Sequence, residues 1–375
     1  MSRWIKLALA VVMLSGVLAV TPAGVDAAPT TAGEATATEV ASTTTHTTTV
    51  RWGPFDVPAM GATENLIAKP GGCSWLVGFV TECVDMQIEK PCEDCYITKM
   101  TPNLVLAGTD TPVNFDTQGM LHHVVNMNFS RPDVTCRPSW FGDTINLLGA
   151  VEGGNERFFA SGNERTLMTV PDGYGYYVGR GDEWGLIVDV MNMSMEDRQY
   201  EFEYTFEWVK SAEHVTPVWL DVDQCEDSEW ATPDGYSDTH YEWNSTLDGR
   251  IVAIGGHVHD QGISIALENA TTGETVCTSV AGYAAGGVGE PAGPGTGADD
   301  LHPADWITQT ESWNPEVTLE AFQGHISGMT TCQPFTRIRD PWWRRGDLLR
   351  MHTVYNHDQG EDHDMGIMVA FVDED

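Results

Sequence analysis

The stretch from Tyr200 to Trp208 reads Tyr200-Glu201-Phe202-Glu203-Tyr204-Thr205-Phe206-Glu207-Trp208, and it decides the fold class. An aromatic side chain stands at every second position, and a polar side chain stands at each position between. Successive side chains of a β-strand point to opposite faces, so this alternation is typical of a half-buried strand. Helical periodicity is nearly absent from the rest of the chain.

Other short apolar segments also predict strands, and glycine and proline separate them. These segments run from Leu186 to Val190, Ile251 to Ile254, Ile263 to Leu267 and Ile367 to Val372. Many short strands with turn residues between them favour antiparallel sandwiches. The sequence therefore predicts an all-β protein of two tandem antiparallel β-sandwich domains of the jelly-roll kind.

Residues 1–28 have the pattern of a signal peptide. Arg3 and Lys6 form a basic start, an apolar run follows from Leu7 to Val20, and a small-residue cleavage site precedes Ala28. The apolar run is too short to span a bilayer comfortably, and no second one follows it. The sequence therefore predicts a secreted, extracellular protein without an integral membrane span once the signal peptide is removed.

The remainder divides into a linker and two domains. Residues 29–50 are rich in Thr and Ala and predict a flexible linker. A change of pattern between Lys210 and Thr216 then predicts an N-terminal β-sandwich domain at 51–212 and a C-terminal one at 213–375.

The chain is strongly acidic. Its net charge is -36, which argues against binding to nucleic acid or to anionic membranes, because such binding depends on Lys and Arg. We interpret the charge as a solvating surface.

The even number of cysteines predicts up to four disulfide bonds in an exported protein. The eight are Cys73, Cys83, Cys92, Cys95, Cys136, Cys225, Cys277 and Cys332. We expect the pair in Cys92-Glu93-Asp94-Cys95 to form a structural bridge to Cys73 or Cys83, and a zinc site of these four cysteines is the alternative.

A set of soft ligands predicts a copper site. Imidazole together with thioether suits a metal that cycles between Cu(II) and Cu(I). The candidates are His122, His123, His257, His259 and Met365. His257 and His259 share one face of a strand and can grip one metal, whereas the adjacent His122 and His123 need an irregular backbone or different ring nitrogens to do so. Taken singly, each histidine pair also fits a surface or core position.

The order of these motifs resembles the copper type II, ascorbate-dependent monooxygenases, such as peptidylglycine α-hydroxylating monooxygenase and dopamine β-monooxygenase. The segments from Gly119 to Val125, Gly256 to Ser264 and Arg345 to Met365 carry the resemblance. The segments Asn192-Met193-Ser194 and His325-Ile326-Ser327-Gly328-Met329 are also similar to the plant stress-up-regulated nodulin-like group.

The resemblance implies one copper in each domain. His257, His259 and Met365 would bind the copper that activates dioxygen beside the substrate. His122 and His123 would form part of an electron-transfer copper site. Ascorbate or another reductant would supply electrons, and the reaction would hydroxylate an activated C–H bond. We further expect Cys277 to pair with Cys332.

One position departs from the family pattern. Val190 stands where the third histidine of the electron-transfer site is expected, and its neighbour Asp189 should face the other way. This departure favours an alternative, a non-catalytic extracellular copper-binding or surface-interaction module. A second alternative is a β-sandwich hydrolase with a zinc site. Met365 disfavours it because thioether is a poor zinc ligand. The sequence does not determine the substrate or the electron donor.

Overall fold

The structure is a computed structural model, and every regular element in its described residues is a β-strand apart from isolated turns. It describes residues 44–59, 73–75, 80–85, 87–114, 117–136, 156–223, 228–283, 293–294, 326–332, 342–357 and 361–374. The all-β prediction is confirmed. The predicted signal peptide at 1–28 lies outside the described residues.

The first half of the chain forms two sheets. Its strands are β1 His46–Val57, β2 Cys73–Trp75, β3 Val80–Asp85, β4 Cys95–Leu106, β5 Gly119–Asn128, β6 Glu156–Gly162, β7 Met168–Thr169, β8 Tyr174–Val178, β9 Trp184–Asn192, β10 Arg198–Val209 and β11 Glu213–His214. One sheet has the order β1-β10-β4-β8-β11, with β7 on β4, and the other has the order β2-β3-β9-β5-β6.

The second half of the chain forms two more sheets. Its strands are β12 Thr216–Asp221, β13 Glu229–Thr232, β14 Gly235–Asn244, β15 Gly249–Val258, β16 Gly262–Asn269, β17 Glu274–Tyr283, β18 Gly293–Pro294, β19 Ile326–Met329, β20 Thr331–Cys332, β21 Trp342–Trp343, β22 Leu348–His357 and β23 Glu361–Glu374. The order β12-β23-β15-β20 forms one sheet, extended by β13 and β21. The order β14-β22-β16-β17-β18 forms the other, extended by β19.

Among the described strands, pairing never crosses from the first half to the second. β11 still pairs with β8, so the change of sheets falls between His214 and Thr216. The division into domains at residue 212 stays a prediction, because residues 43–375 form one compact unit.

The two halves share a hydrophobic core. Phe158 and Phe159 of β6 belong to the same buried cluster as Trp219 of β12 and Ile367 and Phe371 of β23. β6 lies against β12, β15 and β23. The inner faces of one sheet from each half therefore bury each other, which brings β5 and β15 close enough to share a site.

The strand β1 begins inside the predicted linker. It starts at His46, whose ring stacks on Trp208 of β10 with centroids 4.2 Å apart. The threonines from Thr47 to Thr49 then pair with β10. Threonine is β-branched and fits a pleated strand well, so the Thr-rich composition at 29–50 concealed the start of a strand.

The expected bridge from the CxxC pair to Cys73 or Cys83 is wrong, because Cys92 and Cys95 are bonded to each other. Asp94 between them has a φ of 49°, a left-handed conformation that reverses the chain and brings the two sulfurs together. Cys73 and Cys83 instead stand opposite each other in the register of β2 and β3. The expected Cys277–Cys332 bond is confirmed.

Within the part of the chain that the structure describes, no helix has the length and apolar character needed to cross a membrane.

Candidate metal centre

Three histidines from the two halves gather at one point. His122, His123 and His259 each offer a ring nitrogen, and these nitrogens all lie within 4.8 Å of one another. The first two belong to β5, and the third directly follows β15. The His122 and His259 ring centroids are 4.4 Å apart. In the described residues this is the one group of three or more His, Cys, Asp or Glu side chains that is close enough to hold a metal ion.

A β-bulge lets the adjacent His122 and His123 serve one site. In the pairing of β5 with β9, Leu121 stands opposite Val190 and His123 stands opposite Asp189, so His122 is the extra residue. A bulge re-aims side chains that would otherwise alternate. The Nδ1 atoms of His122 and His123 consequently approach to 3.2 Å. An irregular backbone, one of the two arrangements expected for this adjacent pair, is therefore present at His122.

The same bulge explains the position of Asp189. Val190 points into the core and is fully buried, and Asp189 points to the opposite side of β9, as expected. Because the bulge moves His123 onto that side, its Nε2 lies 3.3 Å from Asp189 Oδ2. A carboxylate beside Nε2 favours the tautomer that leaves Nδ1 free for a metal.

His123 is buried and electrically neutral. Burial, and then the neighbouring His122 and His257, hold the pKa of His123 well below its usual value. Desolvation disfavours the charged imidazolium, and a second or third positive ring nearby would repel it. A neutral imidazole is the form that binds metals, so this side chain is ready to act as a ligand near neutral pH.

His257 lies beside the three histidines but makes a different contact. Its Nδ1 is 3.0 Å from Glu164 Oε1, and its ring centroid is 5.3 Å from that of His259. Glu164 follows β6 and also accepts a hydrogen bond of 2.8 Å from the backbone N–H of Gly162. Gly162 must lack a side chain, because a Cβ there would lie 2.5 Å from His257 Cε1.

Glu164 is an ionised carboxylate at the interface of the two halves. Burial raises the pKa of Glu164, but the electrostatic interaction and the hydrogen bond with His257 outweigh it, and the net pKa lies below its ordinary value. The pair therefore joins the first half to the second by a buried, charge-assisted contact.

Met365 packs in the shared core, and 4% of its surface is exposed. The side chain of Tyr355 connects the backbone of Met365 to the backbone of His259. The Tyr355 hydroxyl accepts a hydrogen bond of 2.7 Å from the His259 backbone N–H and donates one of 2.5 Å to the Met365 carbonyl. Met365 and His259 thus stand on the two sides of one tyrosine hydroxyl.

The structure groups the expected ligands differently from the resemblance. It brings His122 and His123 of the first half together with His259 of the second, whereas the resemblance divides these residues between two separate copper sites. His257 flanks this group. The sequence did not single out Glu164 or Tyr355, since neither stands in a motif. The packing of the two halves gives Glu164 its partner His257, and the fold of the second half gives Tyr355 its contacts with His259 and Met365.

The residues present fit a copper ion. Copper accepts imidazole nitrogen in both of its common oxidation states, and three neutral imidazoles make an uncharged ligand set of a kind that suits copper. In the described part of the chain, His257 Nε2 is buried without a hydrogen-bond partner. A buried nitrogen of this kind is costly unless some ligand satisfies it, which adds a fourth imidazole to those available.

No family model matches the chain. Solved structures that resemble it include PNGF-II, with a TM-score of 0.35, 8% identity and coverage of 87% of this chain and 65% of that one. Another is the major capsid protein P2 of bacteriophage PM2, with a TM-score of 0.31, 10% identity and coverage of 88% and 98%. At these scores neither likeness carries weight for fold or function.

Two fungal proteins are similar in sequence. The probable copper-dependent oxygenase M1 of Phoma sp. is 27% identical over 183 residues, which cover 46% of this chain and 44% of that protein. The probable copper-dependent oxygenase clz3 of Cochliobolus lunatus is 26% identical over 238 residues, which cover 54% of this chain and 69% of that protein. The chain therefore spans less than half of the first relative. These distant similarities, together with the histidine group, support a relationship to copper oxygenases.

Proposed function

We propose that this protein is a copper-dependent oxygenase that holds copper between its two halves with His122, His123 and His259. The observation that carries the proposal is the approach of these three ring nitrogens to within 4.8 Å of one another. The distant similarity to two proteins named as copper-dependent oxygenases supports the choice of metal and reaction. Bound copper would supply one-electron redox chemistry and an affinity for dioxygen.

The residues of the chain would prepare this site for the metal. Burial keeps His123 neutral, and Asp189 stands on the side of its ring that faces away from His122. Glu164 orients His257 beside the three histidines. These contacts fix ring orientation and tautomer before the metal binds, which reduces the ordering cost of binding.

His257 and Met365 would complete the ligand set. His257 would contribute the nitrogen that has no partner within the described residues, and Met365 the thioether of the oxygen site that the monooxygenase resemblance implies. We also propose that the protein is exported and that ascorbate or another reductant supplies the electrons for hydroxylating an activated C–H bond.

Metal analysis after copper loading and dialysis tests the proposal. We expect copper to bind to the wild-type protein and to be lost in His259→Ala. The matched control is His352→Ala, because His352 lies on β22 outside the group and contacts Asp238 and Glu268. Retention of all copper by His259→Ala, or equal loss in both variants, would show that the metal binds elsewhere.

A non-catalytic copper-binding module is the second candidate, because Val190 occupies the position where the monooxygenase resemblance expects a third histidine of the electron site. Oxygen uptake separates the two functions. A copper-loaded oxygenase freed of unbound copper should consume dioxygen with ascorbate when a substrate is present to accept an oxygen atom, and His259→Ala should abolish this uptake. Wild-type uptake no faster than that of the variant across a broad substrate panel would favour the binding module.

A further inference from the structure

A small cavity lies between the two halves, next to the histidine group. Its volume is about 40 Å³, and residues of β6, β7, β15, β20 and β23 line it. Most of its wall is apolar, with Phe159 and Met168 on one side and Ile367, Val369 and Phe371 on the other. Since one water needs roughly 10–15 Å³ on this measure, the space suits a group of about three or four heavy atoms.

Two polar side chains in this wall have an unmet hydrogen-bonding group, namely His257, which we assign to the metal centre, and Thr166. Thr166 lines the cavity and is 7% exposed, and its Oγ1 is buried without a hydrogen-bond partner among the residues described. A buried hydroxyl without a partner costs free energy that a bound group can recover. A mostly apolar wall with a few polar side chains is the usual composition of a small-molecule site.

We propose that this cavity binds a compact hydrocarbon group that carries one uncharged oxygen, a hydroxyl or a carbonyl, next to Thr166. The mostly apolar wall disfavours a charged group, because its one ionisable side chain, His257, already pairs with Glu164 and would not offset the desolvation of a second charge. The threonine hydroxyl both donates and accepts, so it can serve either oxygen function.

The cavity also reaches the proposed metal centre. His257 forms part of its wall, and the His257 ring centroid is 5.3 Å from that of His259. A ligand in the cavity would therefore lie near the group that we propose to hold copper. The assignment of this ligand as the substrate rests on the proposed function. The binding of the ligand in the cavity does not.

Methyl NMR of the metal-free protein tests the binding. The probes are 2-propanol and acetone, each of four heavy atoms, added to protein labelled with ¹³C at the methionine methyl groups. We expect the Met168 methyl resonance to shift in a saturable way. Met368 serves as the internal control, because it is buried in the core of the second half and does not line the cavity. Its resonance should stay in place.

The variant Thr166→Val keeps the shape of the side chain and removes the hydroxyl. We expect it to weaken binding of the oxygen-bearing probes about three- to ten-fold, the usual range for one lost hydrogen bond. Binding of xenon, which has no polar atom, should not weaken. A second variant, Ala253→Val, narrows the cavity and should weaken all three probes.

The pattern of losses identifies the ligand chemistry. A loss confined to 2-propanol assigns a hydroxyl, a loss confined to acetone assigns a carbonyl, and a loss of both assigns either. No saturable shift of Met168, or an equal loss of xenon binding in Thr166→Val, would overturn the proposal. Copper loading of the same variant separates this result from the proposed function, since Thr166→Val should bind copper like the wild type.

Discussion

At the scale of single residues, two buried carboxylates each contact a ring nitrogen of a histidine in or beside the candidate metal centre. Asp189 lies 3.3 Å from His123, which belongs to the group of three, and Glu164 lies 3.0 Å from His257, which flanks it. Carboxylates in this position orient a metal-binding imidazole and raise its basicity. The two pairs therefore form a matched comparison inside one protein.

The first prediction concerns these carboxylates. Asp189→Asn should lower the affinity for Cu(II) about 10- to 100-fold, the usual effect of losing such a partner. Glu164→Gln should lower the affinity as well, because Glu164 orients His257, the proposed fourth imidazole ligand. A competition titration with a Cu(II) chelator measures both. An unchanged affinity in Asp189→Asn would remove Asp189 from the site, and an unchanged affinity in Glu164→Gln would remove His257 from the ligand set.

The second prediction concerns Met365. Met365→Ile nearly preserves side-chain volume, so it should cost less than about 1.5 kcal/mol of folding stability. If the thioether binds copper, Cu(I) affinity should fall sharply while zinc binding stays the same, because thioether is a soft ligand and a poor one for zinc. Titration with a Cu(I) chelator gives the result. An equal Cu(I) affinity in both proteins would leave Met365 with only its packing role.

At the scale of secondary structure elements, contacts between the two sheets of the first half depend on a buried acid at the start of β6. Tyr176 of β8 donates a hydrogen bond of 2.5 Å to Glu156. Burial raises the pKa of Glu156 to about 7, although the bonds and charges of Tyr176 and Arg131 act in the opposite direction. Glu156 therefore carries a proton in the folded protein under mildly acidic conditions.

The third prediction follows from this raised pKa. Between the ordinary value of 4.5 and about 7, the folded protein binds a proton that the unfolded chain has lost. Stability should therefore fall as pH rises through this window, by on the order of 3 kcal/mol. Glu156→Gln should flatten the profile and stabilise the protein at pH 7, because an amide oxygen can still accept from Tyr176. Urea unfolding at several pH values measures this, and unchanged profiles would contradict it.

At the scale of the whole molecule, the shared core couples the two halves. Phe371 of β23 packs in the same cluster as aromatic residues of β6, whereas Leu267 of β16 belongs to a cluster built largely from the second half. A proposed metal site with ligands from both halves needs this coupling, since independent motion of the halves would separate His259 from His122 and His123.

The fourth prediction is a single cooperative unfolding transition. Calorimetry should show one peak for the wild type. Phe371→Ala should lower the midpoint temperature of this peak. The variant should lose about 3–5 kcal/mol of folding free energy, the usual cost of truncating a buried phenylalanine. Leu267→Ala, at about 2–5 kcal/mol, is the control. This variant should also lower the midpoint temperature of a single peak. A split into two transitions would show that the halves unfold independently.

Much of the local structure could be predicted from the sequence. The alternation from Tyr200 to Trp208 became β10, and the predicted segments from Leu186 and Ile251 lie within β9 and β15. The start of β1 at His46 was missed because a Thr-rich stretch has the composition of a linker and also the β-branching of a strand. The Cys92–Cys95 bond was missed because the spacing of cysteines does not reveal which of them meet.

By itself, the sequence determined the all-β class, the acidic surface and the residue types that suit copper, because alternation, charge and side-chain chemistry are properties of neighbouring positions. Only the tertiary structure decided which histidines meet. A one-residue bulge turned His122 and His123 toward the same point, and the packing of the two halves placed His259 beside them. Residues more than a hundred positions apart acquire a common site only through such packing, which no local pattern records.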